Sequence, residues 1–376
     1  MPPPVRSKPS IANRGAAALL GLSLALCGCA HVKSLSPGEA LTPQERREAI
    51  RRAGVWSPTD IPSVDLKAGP DAKGAFAFNE WVTCEYREKK RGSGHSPKFD
   101  CQTSPGHDMK VKYGPSNGEV FGDVLATRLF WALGFAADRM YPVRVRCHGC
   151  PKDPWNSPEV AGEVAEFDPA TVERKLPGRA METRTDSGWK WSELEDIGPE
   201  APPGARAERD ALKLLAAFVQ HTDSKAANQR LLCPKGEEVG RTGCRSPVLM
   251  VNDLGCTFGH AGLLLHVNPN SVRLAAWRQV PVWKDRAQCV AELEHSLGGS
   301  LTNPQISEAG RAILAGLLVQ LSDAQLRDLF ETARVKRRSS DPSSDPEKDG
   351  PPAKVDEWVT AFKLKRAQIV DQRCPS

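Results

Sequence analysis

Residues 221–228 read HTDSKAAN and residues 251–255 read VNDLG. The first stretch follows a strongly apolar helical pattern, ARAERDALKLLAAFVQ at 205–220, and the second begins on the last residue of the apolar strand-like run VLMV at 248–251. Both are therefore polar loops delivered by buried elements. Taken alone, Asp-x-Lys-x-x-Asn is common in solvated turns and helix caps. Read together with NDLG, it has the composition that a metal-bound phosphate demands: a carboxylate to orient an acceptor hydroxyl, a cation for the transferred group and hard oxygen ligands for Mg2+. Asp223 suits the first role, Lys225 the second, and Asn228 with Asp253 the third.

Upstream, residues 76–113 alternate apolar and polar side chains in FAFNEWVTCEYRE, KFDCQT and MKVKY, with the turn stretches RGSGHSP and SPGHD between them. That is the period of antiparallel strands. Residues 118–135, GEVFGDVLATRLFWALGF, predict a helix with one buried face that stops near Gly134, and MYPVRVRC returns as a strand. Lys110 and Lys112 are two apart and share a strand face, so spacing does not choose between them. Glu119 and Asp123 are four apart and share a helix face. A strand pair around LLC and VLMVNDLG follows. The stretch from Ile306 to Val335 then predicts two amphipathic helices, and VDEWVTAFKLKRAQIV a last one. Strands with one helix first and helices after give an α+β chain.

These features resemble the protein-kinase-like superfamily. His221, Asp223, Lys225 and Asn228 match its catalytic loop, His-Arg-Asp-x-Lys-x-x-Asn, and Asp253 and Gly255 match its Asp-Phe-Gly metal loop, with Leu254 in place of Phe. The resemblance implies a two-lobed fold, with a small antiparallel N-terminal lobe plus one helix and a mostly helical C-terminal lobe. It also implies that a strand lysine, Lys112 or Lys110, contacts the phosphates of ATP and is held by Glu119 or Asp123; Lys112, just before Tyr113-Gly114, is the favoured one. Three departures imply an atypical member, similar in layout to phosphoinositide kinases and HipA-type toxin kinases, or a catalytically inactive relative. The hairpin with Gly92 and Gly94 lacks the full glycine pattern, a cysteine-bounded insertion separates Asn228 from Asp253, and no Ala-Pro-Glu follows the DLG.

The amino terminus speaks to compartment. Arg6, Lys8 and Arg14 precede the short apolar run AAALLGLSLAL, the shape of a signal peptide rather than a membrane-spanning helix. The run ends in LCGC, which resembles a bacterial lipobox and implies cleavage before Cys29, acylation of Cys29 and anchoring in a membrane. Ala30 in the second mature position favours the outer membrane, at its periplasmic face or the cell surface. Removing residues 1–28 takes away basic residues and no acids, so the remainder is nearly neutral. No basic stripe with interleaved aromatics is present, and nucleic acid is not an expected partner.

Eleven cysteines fit an oxidising compartment. Without Cys27 and Cys29 their number is odd, so one is expected outside any disulfide. Local spacing pairs Cys84 with Cys101, Cys147 with Cys150 and Cys233 with Cys244; a four-thiolate zinc site from CHGC plus Cys233 and Cys244 is the alternative. Trp131, Trp189, Trp191 and Trp277 are expected to pack cores, and His260 and His266 to be structural.

The expected organisation is a signal peptide at 1–28, a lipid-anchored tether with one short helix at 29–75, the first lobe at 76–150, a linker with short elements at 151–205, and the second lobe at 206–376 with a flexible loop at about 336–354. The expected activity is ATP- and Mg2+-dependent phosphoryl transfer to an unknown acceptor. The alternative is an inactive kinase-like lipoprotein that binds a nucleotide, a lipid headgroup or a protein.

Overall fold

The computed structural model describes Met1 and residues 40–70, 75–88, 96–104, 107–157, 159, 162–259, 271–293, 299–339 and 353–375. Cys29, Gly92, Gly94, His260 and His266 lie outside the described residues. Five strands, β1 (Trp81–Arg87), β2 (Lys98–Gln102), β3 (Asp108–Tyr113), β4 (Arg139–His148) and β5 (Val164–Arg174), close into a barrel in the order β1-β2-β3-β5-β4. This corrects the expectation of a simple antiparallel sheet. Alternating directions cannot close around an odd number of strands, so one neighbouring pair must be parallel. That pair is β1 with β4, Trp81 opposite Arg144 through Glu85 opposite His148.

The barrel also extends past residue 150, because β5 lies in the stretch expected as a linker and pairs with both β3 and β4. Its interior is filled by Val82, Phe99, Met109, Val111, Val145, Phe167 and Val172, with Phe99, Tyr113 and Phe167 in mutual ring contact at 4.8–5.6 Å.

Helix α2 (Glu119–Ala132) crosses from β3 to β4. Every residue of it except Trp131 is buried, where the sequence suggested one buried face. The helix packs on β3, β4 and β5 on one side and on helix α6 (Asp323–Thr332) on another. A third cover is the segment before the barrel. Leu41, Ile50, Ala53, Val55, Ile61 and Leu66 are buried in the larger core, so residues 41–66, expected as tether, are integral to the fold. Helix α1 (Pro43–Arg52) starts on a Thr42–Glu45 capping box. Beyond it, Arg128 of α2 donates to Leu66 O at 3.0 Å, and Gln325 of α6 to Ile61 O at 2.7 Å.

The second part consists of α3 (Ala205–Phe218), a sheet in the order β10-β7-β6, and a helical body. Strands β6 (Gly178–Ala180), β7 (Gln229–Pro234) and β10 (Val248–Val251) are antiparallel, with the short hairpin β8 (Glu238–Val239) and β9 (Gly243–Cys244) between β7 and β10. Helices α5 (Glu308–Leu318) and α6, and the last helix α8 (Val355–Val370), surround an aromatic centre in which Trp277 stacks on Trp358 at 5.8 Å and Phe218 meets Phe362 at 5.0 Å. Trp189, Trp191 and Trp277 are buried and Trp131 is partly buried, all packed into the larger core. Buried Arg334 fixes this body to the barrel by donating to Val143 O, Ala170 O and Thr171 Oγ1. Part of the expected flexible loop is ordered, since Val335–Ser339 form α7. No helix among the described residues is long and apolar enough to cross a membrane.

The expected cysteine pairs are present as disulfides, and Cys289 is bonded to Cys374. Cys256 is the described cysteine in no disulfide. The four-thiolate zinc alternative is excluded, because Cys147–Cys150 closes within the barrel and Cys233–Cys244 braces β7 against β9.

One buried cation gives a testable pH dependence. Lys365 of α8 is 2% exposed and donates to Trp277 O at 3.1 Å and Val280 O at 2.6 Å, capping α4 (Leu274–Gln279). Burial pulls its pKa from 10.5 down to about 7. The unfolded chain keeps this proton up to about pH 10.5 and the folded one releases it above about 7, so in that window the unfolded state binds more protons and stability rises with pH. Between pH 7 and 9 this one group should add about 2 kcal/mol. Urea titrations of wild type and Lys365→Met should show that slope in the first and its loss in the second; identical slopes would refute the assignment.

Candidate functional site

Along β3, Met109 and Val111 point into the barrel and Lys110 and Lys112 point outward. Lys112 meets α2 there. Its Nζ lies 2.7 Å from Glu119 Oε2, 2.6 Å from Asp123 Oδ2 and 2.9 Å from Asp253 Oδ1, with its side chain 5% exposed. Glu119 and Asp123, one turn apart on α2, thus both hold the same lysine. The start of α2 is fixed for this: Asn117 Nδ2 donates to Pro97 O and Tyr113 O, and Ser96 Oγ donates to Glu119 Oε2 at 2.7 Å.

Burial opposes the charge on Lys112, but Asp123, Asp253 and Glu119 outweigh it and hold its pKa well above the ordinary value. Burial, with the charges of Asp253 and Glu119 added, pushes Asp123 up to about 7 despite Lys112. Asp253 goes the other way. Burial would raise it, yet Lys112, Lys110 and Lys98 hold it well below the usual carboxylate range.

The loop bearing Asp253 is pressed against α2. A Cβ on Gly255 would sit 2.5 Å from Glu119 Cγ, and one on Gly122 would sit 2.2 Å from Gly255 O. Only glycine at both positions permits this approach. Leu254 is fully buried in the larger core, and Asp253 itself takes a left-handed backbone, φ 48°.

Directly below runs the loop from His221 to Asn228. Asp223 Oδ2 pairs with Lys225 Nζ at 2.6 Å, and Asn228 Nδ2 donates to Asp223 O at 2.7 Å. Burial opposes the Lys225 charge, but Asp223 outweighs it and raises its pKa. Two backbone bonds tie the loops together, Thr222 N to Cys256 O at 3.1 Å and Asn252 N to Asn228 O at 2.8 Å. Ser224, which the sequence reading passed over, anchors the loop from behind: its Oγ accepts from Ser300 N and Leu301 N. His221 is fully buried, neither ring nitrogen has a partner among the described residues, and burial lowers its pKa to about 4. It is a neutral packing residue against Trp191.

The oxygens of Glu119, Asp123 and Asp253 lie within 4.8 Å of one another, close enough to chelate an ion. The ammonium of Lys112 already fills that space, so the cluster is a lysine clamp. The donors that fit Mg2+ are elsewhere in the same site. Asp253 spends one oxygen on Lys112 and keeps 38% side-chain exposure. Asn228 commits its amide nitrogen to Asp223 O, so its amide oxygen is the atom that would meet a metal. An aspartate and an amide oxygen on two bonded loops are the hard ligands this ion prefers.

Of the residues expected from the sequence, Lys112, Glu119, Asp123 and Asp253 therefore converge, and Asp223, Lys225 and Asn228 share the adjoining loop. Lys110 does not join the clamp. It pairs with buried Glu173 of β5 at 2.5 Å. Ser96, Lys98 and Glu173 were missed; register across β2, β3 and β5 is what brings them near, and no local spacing reports it.

No protein-family model matches the chain, and no curated protein does. Among solved structures, the chain is similar to the crystal structure of CtkA, a proinflammatory kinase of Helicobacter pylori, at 9% identity and a TM-score of 0.42, covering 78% of this chain and 95% of that one. At that distance the likeness adds no weight to what the residues themselves do.

Proposed function

We propose that this chain is an atypical, kinase-like phosphotransferase that uses ATP with Mg2+, held at the cell envelope by a lipid on Cys29. The observation that carries the reading is the single lysine, Lys112, gripped by two acids of α2 and by Asp253, with Asp223 and Asn228 on a loop bonded to the Asp253 loop. Phosphoryl transfer asks a protein chiefly for positioning and for charge. Lys112 offers a fixed cation for the phosphates, Asp253 and Asn228 offer metal ligands, and Asp223 is the base-like group that orients an acceptor hydroxyl. Mg2+ held by Asp253 and Asn228 would supply positive charge against the phosphates.

A second reading, an inactive kinase-like protein that binds a nucleotide, lipid headgroup or partner, draws support from the Lys112–Asp253 pair, in which phosphate lysine and metal ligand satisfy each other. Thermal unfolding of the domain with ATP and Mg2+, separately and together, tests the common ground. Ligand at about 100 times its dissociation constant should stabilise the fold by about 2.7 kcal/mol, and phosphate release then separates the two readings. No stabilisation under any metal condition would dismiss both nucleotide readings.

A further inference from the structure

We infer that the cavity between α1 and residues 186–196 binds a small multivalent oxyanion, a phosphorylated or polycarboxylated molecule, which joins α1 to the segment behind the loop from His221 to Asn228. The cavity measures about 250 Å³, and its walls carry Arg46 and Arg47 of α1 with Asp186, Lys190, Glu193 and Asp196 of the segment. That volume is below the range usual for larger organic ligands and limits the occupant to a small ion. The acids are already engaged. Glu193 accepts from both terminal guanidinium nitrogens of Arg46, at 2.7 and 2.9 Å, and from the Lys190 backbone N–H at 2.7 Å. Asp196 pairs with Arg51 at 3.0 Å, and Asp186 accepts from the hydroxyls of Thr183 and Thr185. Arg47 and Lys190 differ: both are exposed, and neither charged end has a hydrogen bond or ion pair among the described residues. The unspent charge in the cavity is therefore cationic, and one anion with two acidic groups meets both walls at once.

Both cations stand on fixed backbone. Arg47 follows Arg46, whose bidentate pair with Glu193 spans the cavity, and Lys190 directly precedes the short turn Trp191–Glu195, where Glu193 holds its N–H. An anion has only the two side-chain ends to order. The same wall reaches the loop from His221 to Asn228. Arg46 also donates to Gly188 O at 2.7 Å. Gly188, in a left-handed backbone of φ 72°, abuts the loop so closely that a Cβ there would lie 2.1 Å from Ala226 O and 2.5 Å from Gln229 O. Beside it, Trp189 Nε1 donates to Met250 O at 3.1 Å, and Trp191 packs on His221. An anion that draws Arg47 and Lys190 together thus ties α1 to the segment on which this loop rests.

The test is calorimetry on wild type, Arg47→Gln, Lys190→Gln and the double variant with pyrophosphate and with citrate, without Mg2+ and at matched ionic strength. Loss of one charge-assisted contact should weaken binding about tenfold or more in either single variant, and further in the double one. Both positions are exposed and unpaired, so the melting temperatures without anion should agree. Dependence on the two residues for pyrophosphate alone assigns a phosphorylated ligand, for citrate alone a polycarboxylate, and each upholds the inference. Hydrogen exchange with saturating anion locates the site: it should slow in residues 43–52 and 186–196 of wild type and not of the double variant. Equal affinities in wild type and double variant, protection confined to β3 and α2 around Lys112, or no binding of either anion to wild type would each overturn the inference, and none of them removes the ATP reading of the Lys112 site.

Discussion

Lys112→Met should destabilise the protein by about 3–5 kcal/mol, the usual cost of removing one partner from a buried ion cluster, and should abolish measurable ATP binding. The ammonium sits among three carboxylates at 2.6–2.9 Å, and without it Glu119 and Asp123 are left facing each other in a space with almost no water. The two consequences are separable. Lys112→Met combined with Asp123→Asn removes a carboxylate charge along with the cation and should recover much of the lost stability, but no phosphate contact returns. Lys110→Met should affect ATP far less, because its ion pair is with Glu173 on the neighbouring strand. Urea unfolding and calorimetry on the four proteins read these outcomes, and a Lys112→Met protein with wild-type affinity for ATP would end the proposal that this lysine meets phosphate.

The parts of this site that were legible in the sequence are those set by local spacing. A strand VLMV running into NDLG, a helix running into HTDSKAAN and two acids one turn apart all depend on neighbours in the chain. The last helix was legible for the same reason and spans Val355–Val370. What was not legible depends on distant partners. The choice of Lys112 over Lys110 follows from where α2 lies, which Asn117 and Gly122 help to fix through Pro97 and Gly255. Barrel closure needs β5, whose sequence VAEFDPATVER breaks its alternation at Asp168-Pro169 and so reads as irregular. Residues 41–66 read as tether because α1 is mostly charged, yet a few apolar side chains such as Ile50 and Leu66 suffice to bury the segment against α2 and α3. In each case the missing information was the identity of the opposite surface.

Asp253→Asn and Asp223→Asn should fail in different ways, and the difference bears most directly on mechanism. Asn is well tolerated in the left-handed backbone that Asp253 adopts, so Asp253→Asn changes charge with little strain. It removes an anionic ligand from the proposed metal site and one of three acids from Lys112. Mg2+-dependent ATP binding should fall steeply, with the affinity for ATP in the absence of Mg2+ changing little. Asp223 lies off the lysine clamp, paired with the partly exposed Lys225, and its proposed task is to hold an acceptor hydroxyl as the bond forms. An interaction realised mainly on the way to the transition state leaves ground-state binding almost untouched when removed. Asp223→Asn should therefore keep near-wild-type affinity for ATP with Mg2+ and lose about 10²–10⁴ in turnover, the span usual for a positioned acid–base group. Calorimetry with and without Mg2+, beside a phosphate-release assay, distinguishes the two. Should both variants lose binding equally, the division of labour between the two loops is wrong. Should wild type bind ATP and Mg2+ with no turnover above that of Asp223→Asn, the chain is a nucleotide-binding protein that keeps the site without the transfer.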